Sequence, residues 1–341
     1  MKYARDFYEA GVFGNNDDDY LKELREEKHA LEKEKIKMRD ERNELNRILR
    51  EQARKESYRD QVMRSISEND CKALDYDNEK RFSGILKSDN DLIISMFDIH
   101  GGIEINNFFN KYNEDILKKR LNEYLDKIFE VQLRHGSENA NVILSEIING
   151  FIHNELRIES NQNIIQQFLM VVDYLSQFLS ELSYRFNTVN VYMCPGNHSR
   201  LSANKNDSLK GENIDHLAIP YLMAKLQNFK NIKLYTNDIE ESVAIFNVRN
   251  NKIFASHGDK DAPSNVVQKF TLFFNQRPDI IYLGHRHTNS VETVYDVKVV
   301  QSGCLSGADN YCLDKRLRNR PEQTISVITE NGLDCIYDVK F

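Results

Sequence analysis

Short apolar runs at residues 92–97, 142–144 and 189–193 alternate with two longer stretches whose apolar residues recur at helical spacing. In the first stretch, about 108–133, the stripe is Leu117, Leu121, Leu125, Ile128 and Leu133. In the second it is Ile164, Phe168, Val171, Leu175, Phe178 and Leu182. Strand, helix, strand, helix, strand is the parallel crossover arrangement, which confines this part of the chain to an α/β fold and gathers ligands at the carboxyl ends of the strands. The residues after each run suit that place: Asp98 and His100, then Glu146, then Asn197 and His198.

The rest of the chain is richer in strands, expected at 232–235, 242–248, 253–256, 279–283, 291–295, 297–301 and 324–328. His257 closes the third of these. The fourth, bounded by Pro278 and Gly284, is followed by His285-Arg286-His287. Alternate residues on an extended chain share a face, so His285 and His287 are expected to converge while Arg286 turns away. Residues 86–341 read as one α/β domain with two sheets faced by helices. No internal repeat or low-complexity linker interrupts it.

Residues 1–85 read differently. No glycine lies between Gly14 and Gly84, and no proline precedes Pro195, so the charged segment 20–66 is expected to form one long helix or two. Leu24, Leu31, Met38 and Leu45 recur every seven residues, with Leu21 and Leu49 on the adjoining seam, which is a coiled-coil pattern. Lys28, Lys35 and Arg42 weaken that seam, and a single solvated helix is the alternative. The favoured expectation is an arm that makes homo-oligomers or docks a protein partner.

The net charge of -7 excludes a chain coated in positive charge but leaves room for a local basic patch. Five cysteines, Cys71, Cys194, Cys304, Cys312 and Cys335, lack C-x-x-C spacing, and the amino terminus has no apolar signal core. No apolar run approaches the roughly 20 residues that span a bilayer. A cytoplasmic protein without membrane insertion is expected.

Collected, the strand-end groups are Asp98, His100, Glu146, Asn197, His198, His257, His285 and His287. Carboxylates, imidazoles and an amide, with no thiolate among them, suit two borderline-to-hard divalent ions better than a structural zinc cage. Two ions roughly 3.5 to 4 Å apart can clamp a phosphate and activate water for phosphoester hydrolysis. The ordered set Asp98-x-His100, Gly196-Asn197-His198, His257 and Gly284-His285-x-His287, spread over residues 90–341, resembles the calcineurin-like metallophosphoesterase superfamily. Within it, the segments Gly196-Asn197-His198-Ser199-Arg200 and 314–322 are most similar to the DNA-repair-exonuclease-like phosphoesterases of phages and mobile elements.

The resemblance implies a four-layer α/β/β/α sandwich and two divalent metal ions, manganese first, with iron or zinc as alternatives. Asp98, His100 and His287 would hold one ion and Asn197, His257 and His285 the other, while His198 would assist the leaving oxygen and metal-activated water would attack. The family's second motif supplies a bridging aspartate; here Ser145-Glu146 stands at that place, and Glu146 is the candidate bridge. The extra methylene leaves the site intact but slow, retuned to another metal, or degenerate.

Arg200, Arg316, Arg318 and Arg320 are the expected phosphate-binding residues, because guanidinium forks match phosphate geometry. Lys205, Lys210 and Lys315 accompany them, and Tyr311 is placed to stack on a base or to join the core. A metal-dependent, nuclease-like phosphodiester hydrolase is the leading expectation. A phosphatase or phosphodiesterase of small nucleotides, and a degenerate nucleic-acid- or protein-binding module, are the alternatives. His153 is either a substrate contact or a packed residue, His29 and His135 are read as surface groups, and His216 as part of a helix start.

Overall fold

The computed structural model describes residues 16–68, 89–152 and 159–341. The chain divides into two compact units, Met1–Met63 and Arg64–Phe341. Helix α1 (Asn16–Glu68) makes up the described part of the first and runs 53 residues without a break, one helix rather than two. Leu24, Leu31, Met38 and Leu45 are all exposed along it, Met38 by 65%. The polar connector at Asp75, Asp77 and Asn78 and the expected boundary at residue 85 lie outside the described residues.

The second unit is a mixed α/β fold with two large sheets. In the first sheet, β1 (Asn90–Phe97), β4 (Asn139–Ser145), β5 (Thr188–Cys194) and β6 (Ile232–Leu234) pair in parallel. Two further strands, β12 (Glu322–Thr329) and β13 (Gly332–Lys340), add antiparallel on the other side of β1. The second sheet contains β7 (Val243–Val248), β8 (Asn251–Ser256), β9 (Ile280–Leu283), β10 (Ser290–Val294) and β11 (Val297–Gln301). There β9 lies between β8 and β11, parallel to both.

Period-two alternation decides what each strand packs against. Ile253 and Ala255 of β8 enter one buried cluster with Ile93, Phe97, Ile143 and Tyr192 of the first sheet, so this core is shared by both sheets. Phe254, between them in sequence, points the other way, into a cluster with Ile281, Leu283, Val299 and the residues Val266, Val267 and Phe270 of α4 (Pro263–Phe274). Helices α2 (Glu114–His135) and α3 (Ile164–Ser183) bury Leu121, Leu125, Ile128, Phe168, Val171 and Leu175 as the sequence stripe predicts. The stripe's Leu133 is instead 51% exposed.

Two element boundaries differ from the sequence reading. Residues 105–112 form a small hairpin, β2 (Ile105–Asn106) and β3 (Lys111–Tyr112), and α2 starts only at Glu114. Asn107 explains the difference: its Oδ1 accepts the backbone N–H groups of Phe109 at 3.0 Å and Asn110 at 2.8 Å, an Asx-type turn that competes with helix. Asn113 then caps α2 by accepting from the Ile116 N–H at 3.0 Å. Strand β13 lies beyond the last strand expected from the sequence, because its buried and exposed residues do not alternate cleanly.

At the end of β1 nearest the site, side chains replace the backbone ladder. Pairing of β1 with β12 stops at Ile94 and Ile325. Beyond it the buried Gln323 amide takes over: Oε1 accepts the Phe97 N–H at 3.0 Å, and Nε2 donates to the carbonyls of Phe97 at 2.7 Å and Gly303 at 2.9 Å. Leucine at this position would keep the volume and leave these three backbone groups unpaired, so Gln323→Leu is expected to lower stability by roughly 2–4 kcal/mol in urea unfolding.

Candidate metal centre

Five strand ends meet on one side of the two sheets. Asp98 and His100 follow β1, Glu146 follows β4, Asn197 and His198 follow β5, His257 follows β8, and His285 and His287 follow β9. Asp98, His100, Glu146, His285 and His287 all adopt left-handed backbone, with φ of 51°, 48°, 50°, 69° and 55°. Such conformations cost on the order of 1–3 kcal/mol each in residues with side chains and cluster where geometry is imposed for function. The two histidines after β9 are therefore not alternate residues of an extended chain, as the sequence suggested. Each turns inward through its own left-handed backbone, and the His285 N–H donates to Asp98 Oδ2 at 2.8 Å.

The side chains fall into two adjoining groups. In the first, Asp98 Oδ1 lies 3.6 Å from His100 Nε2 and 3.4 Å from His287 Nε2, and those two ring nitrogens are 3.3 Å apart. In the second, His257 Nε2 lies 3.0 Å from Asn197 Oδ1, 3.2 Å from His285 Nδ1 and 3.1 Å from Glu146 Oε2. Asp98, Glu146 and His257 offer ligand atoms within 4.8 Å of one another, so Glu146 stands where the groups join.

Electrostatics of the bare cluster are those of a cation site. Asp98 Oδ1 and Glu146 Oε2 are buried and accept no hydrogen bond. Burial pushes the Glu146 carboxyl well above its ordinary range, and the charges of Asp215 and Asp98 push it further. Burial acts the same way on Asp98, but the charge of His287 opposite it and the close approach of the His100 and His287 rings hold it well below the usual range. Burial lowers His257 to about 4 and, with His100 nearby, takes His198 well below its ordinary value, leaving neutral imidazoles with lone pairs to give. Carboxylate oxygens without donors, facing imidazole nitrogens, fit divalent ions. Asp98, His100, His287 and Glu146, and Asn197, His257, His285 and Glu146, are the residues that would hold them.

A second layer of contacts fixes these groups. Ser145 Oγ is 3.1 Å from His257 Nδ1, which turns His257 Nε2 toward Asn197. The His198 N–H donates to Glu146 Oε1 at 2.8 Å. Asp215, fully buried, accepts the Gly196 N–H at 3.0 Å and also meets Ser199 and the backbone of Ile147 and Glu146. Burial raises its carboxyl to about 6. Sequence pattern passes over Asp215 as part of a helix start; it follows no strand, and only the folded return of residues 213–217 brings it there. Cys304 is missed as well, although it follows the end of β11 much as Glu146 follows β4. Its sulfur groups with His100 and His287 within 4.8 Å.

The expected phosphate-binding arginines are spread out. Arg200 donates to the carbonyls of Ser202 at 3.0 Å, Ala203 at 3.2 Å and Asn197 at 3.4 Å, bracing its own loop. It also lines a cavity of about 320 Å³ beside Asn197, together with Lys205, Lys210, His216 and Lys260. Arg316, Arg318 and Arg320 lie on the segment after α5 (Asn310–Asp314), and all three are exposed. Arg318 lies 4.3 Å from the centre of the Phe109 ring and Lys315 5.9 Å from that of Tyr311, which is 53% exposed rather than core. His135 ends α2 with its Nε2 2.7 Å from Tyr337 Oη. His153 lies outside the described residues.

No family model matches the chain. It is similar to the SPbeta prophage-derived uncharacterized protein YonJ of Bacillus subtilis, 22% identical over 229 residues that make up 64% of this chain. The match spans 56% of that relative's length. Among solved structures it is similar to a novel archaeal phosphodiesterase, with 13% identity, a TM-score of 0.36, and 73% of this chain and 99% of that one covered. Vacuolar protein sorting 29 from Cryptosporidium parvum gives 12% identity and a TM-score of 0.36, over 74% of this chain and 100% of that one. A predicted phosphoesterase from Streptococcus pneumoniae gives 11% and 0.30, over 74% and 98%. At these identities and TM-scores no activity passes from those proteins to this chain.

Gly196 is the most exacting position around the centre. A Cβ there would fall onto the Glu146 carboxylate and 2.7 Å from Glu146 Cβ. Gly196→Ala is expected to displace Glu146 and weaken divalent-ion binding by about 10–100-fold, measured by isothermal titration, with the far-ultraviolet dichroism unchanged.

Proposed function

We propose that the chain is a two-metal phosphodiester hydrolase of the calcineurin-like type, nuclease-like in substrate, with its two sheets and flanking helices forming an α/β/β/α sandwich. The observation that carries this reading is the pair of buried, unpartnered oxygens, Asp98 Oδ1 and Glu146 Oε2, each facing imidazole nitrogens. Hydrolysis without a protein nucleophile fits the residues present, which are ligands and proton carriers. Bound divalent ions would supply Lewis-acid activation of water and offset phosphate charge.

His198 is the residue assigned to the leaving oxygen. Its Nδ1 lies 2.9 Å from the Asn149 carbonyl, which can only accept, so Nδ1 carries the proton and Nε2 is left for the substrate. An anionic phosphoester beside the ring favours its charged form, which makes Nε2–H available to the departing oxygen.

A nucleic-acid strand is the substrate favoured by the surface chemistry near residue 318. Phe108 is 94% exposed and Phe109 49% exposed, and cationic side chains lie beside two of the exposed rings, Arg318 at Phe109 and Lys315 at Tyr311. Aromatic faces stack bases without regard to sequence, and guanidinium groups pair with phosphates. The cavity beside Asn197, of about 320 Å³, supports the second reading, a phosphodiesterase of small nucleotides. The exposed seam of α1 supports a homo-oligomerisation or partner-docking arm.

Purified full-length chain with manganese is expected to hydrolyse bis-p-nitrophenyl phosphate. His198→Ala should lower kcat by about 10²–10⁴-fold while metal affinity, followed by titration, stays the same. Full activity in that variant would overturn the role given to His198, and failure to bind any divalent ion would overturn the two-metal reading.

A further inference from the structure

The loop after β11 brings a thiol to the metal centre. Cys304, in Gln301-Ser302-Gly303-Cys304, is 1% exposed. Its sulfur and ring nitrogens of His100 and His287 all lie within 4.8 Å of one another. Asp98 Oδ1, buried and without a hydrogen bond, faces the same two imidazoles at 3.6 and 3.4 Å. These are two separate pointers to one place: three ligand atoms that converge, and a carboxylate oxygen that has no other partner.

The loop carrying this thiol is held firmly. The Leu305 N–H donates to the Asp98 carbonyl at 3.1 Å, which ties Cys304 to the first ligand's own backbone. Arg120, 8% exposed, donates to the carbonyls of Leu305 at 2.7 Å and Ser306 at 2.9 Å, and Asn110 Nδ2 donates to Ser306 O at 2.8 Å. A buried guanidinium bound to main-chain carbonyls fixes a loop at the cost of desolvating its charge. What it fixes here is the position of the sulfur.

We propose that Cys304 is a ligand of the subsite formed by Asp98, His100 and His287, and that its thiolate makes this subsite take zinc or ferrous ion in preference to manganese. The proposal rests on the two-metal reading above. Thiolate is a soft donor that suits zinc and iron, whereas manganese favours carboxylate and water oxygen. Without metal the Cys304 S–H donates to the Asp98 carbonyl at 3.1 Å. On coordination the sulfur–metal bond replaces the S–H bond, and the proton leaves to solvent. The adjoining subsite, with Asn197, His257 and His285, has no sulfur among these ligands and keeps the harder preference.

Cobalt(II) titration of metal-free full-length protein tests this by absorption rather than by turnover. Wild type is expected to show visible ligand-field bands and a near-ultraviolet sulfur-to-cobalt charge-transfer band. Cys304→Ser should keep the visible bands and lose the near-ultraviolet one, and its preference for zinc over manganese, measured by competition, should fall by at least about 10-fold. Cys312, which also interacts with His287, supplies the control: Cys312→Ser should retain the band. Circular dichroism checks folding, and Cys304→Ala serves if the serine variant does not fold. Bound cobalt without the band, a band that survives loss of Cys304, or one that disappears with Cys312 overturns the ligand assignment and leaves the two-metal reading standing. Failure of wild type to bind cobalt at all overturns both.

Discussion

Uncompensated negative charge at the ends of β1 and β4 is the constraint around which this structure is built. Asp98 and Glu146 are 1% and 0% exposed, and Asp215, just behind them, is 0% exposed. Two like charges about 4 Å apart repel by about 4 kcal/mol even at an effective dielectric near 20. No Lys or Arg side chain forms an ion pair with these three carboxylates among the described residues. Backbone N–H groups answer part of the charge: His285 donates to Asp98, His198 to Glu146 and Gly196 to Asp215. Among the neighbouring imidazoles, burial keeps His257 and His198 neutral; against the same burial, Cys304 and Asp98 raise His287, so imidazole charge answers Asp98 in part and leaves Glu146 unanswered. What the cluster lacks is concentrated positive charge, which is what divalent ions provide.

The sheets make that arrangement sustainable. Five candidate ligand residues in left-handed backbone would together cost several kcal/mol if each carried the usual penalty. They are attached to β1, β4 and β9, interior strands whose residues are buried throughout their described lengths except at the start of β4. A strained turn persists when the elements on both sides of it cannot move. Gln323 extends this support past the last backbone pair of β1 and β12, and Arg120 extends it into the 304–306 loop. The strained residues and the amide- and guanidinium-based braces thus belong to one device.

Much of this is legible in the sequence because the strands are short apolar runs with abrupt polar ends. Asp98, His100, Glu146, Asn197, His198, His257, His285 and His287 can be placed at strand ends from that pattern alone, and the structure gathers them on one side of the sheets. The reason His285 and His287 point inward is not legible, since an alternating pattern describes side-chain faces and says nothing of a left-handed turn beyond the strand. Phe108 and Phe109 look like the start of a helix because apolar spacing does not register an asparagine side chain capturing the backbone. Cys304 goes unnoticed for want of a cysteine pair, although a single sulfur among histidines needs none. Asp215 has no pattern to reveal it, because its role depends on a return of the chain through 3-10 turn geometry.

Glu146, which stands where the resemblance implies a shorter carboxylate, is best understood with its neighbours. An added methylene moves a carboxylate by roughly a bond length, and a displacement of about 1 Å at a reacting centre can lower a rate on the order of 100-fold. Here the longer side chain has room only because residue 196 lacks a Cβ, and its two oxygens are divided between tasks. Oε1 is anchored by the His198 N–H, while Oε2 remains unpartnered 3.1 Å from His257 Nε2. Anchoring one oxygen removes the rotational freedom that the extra torsion introduces. The loop bearing Gly196 and His198 is in turn held by Asp215, which also meets the backbone of Glu146 itself. The longer carboxylate is thus held at both ends, its Oε1 by the His198 N–H and its backbone by Asp215, and this fixes Oε2 facing His257.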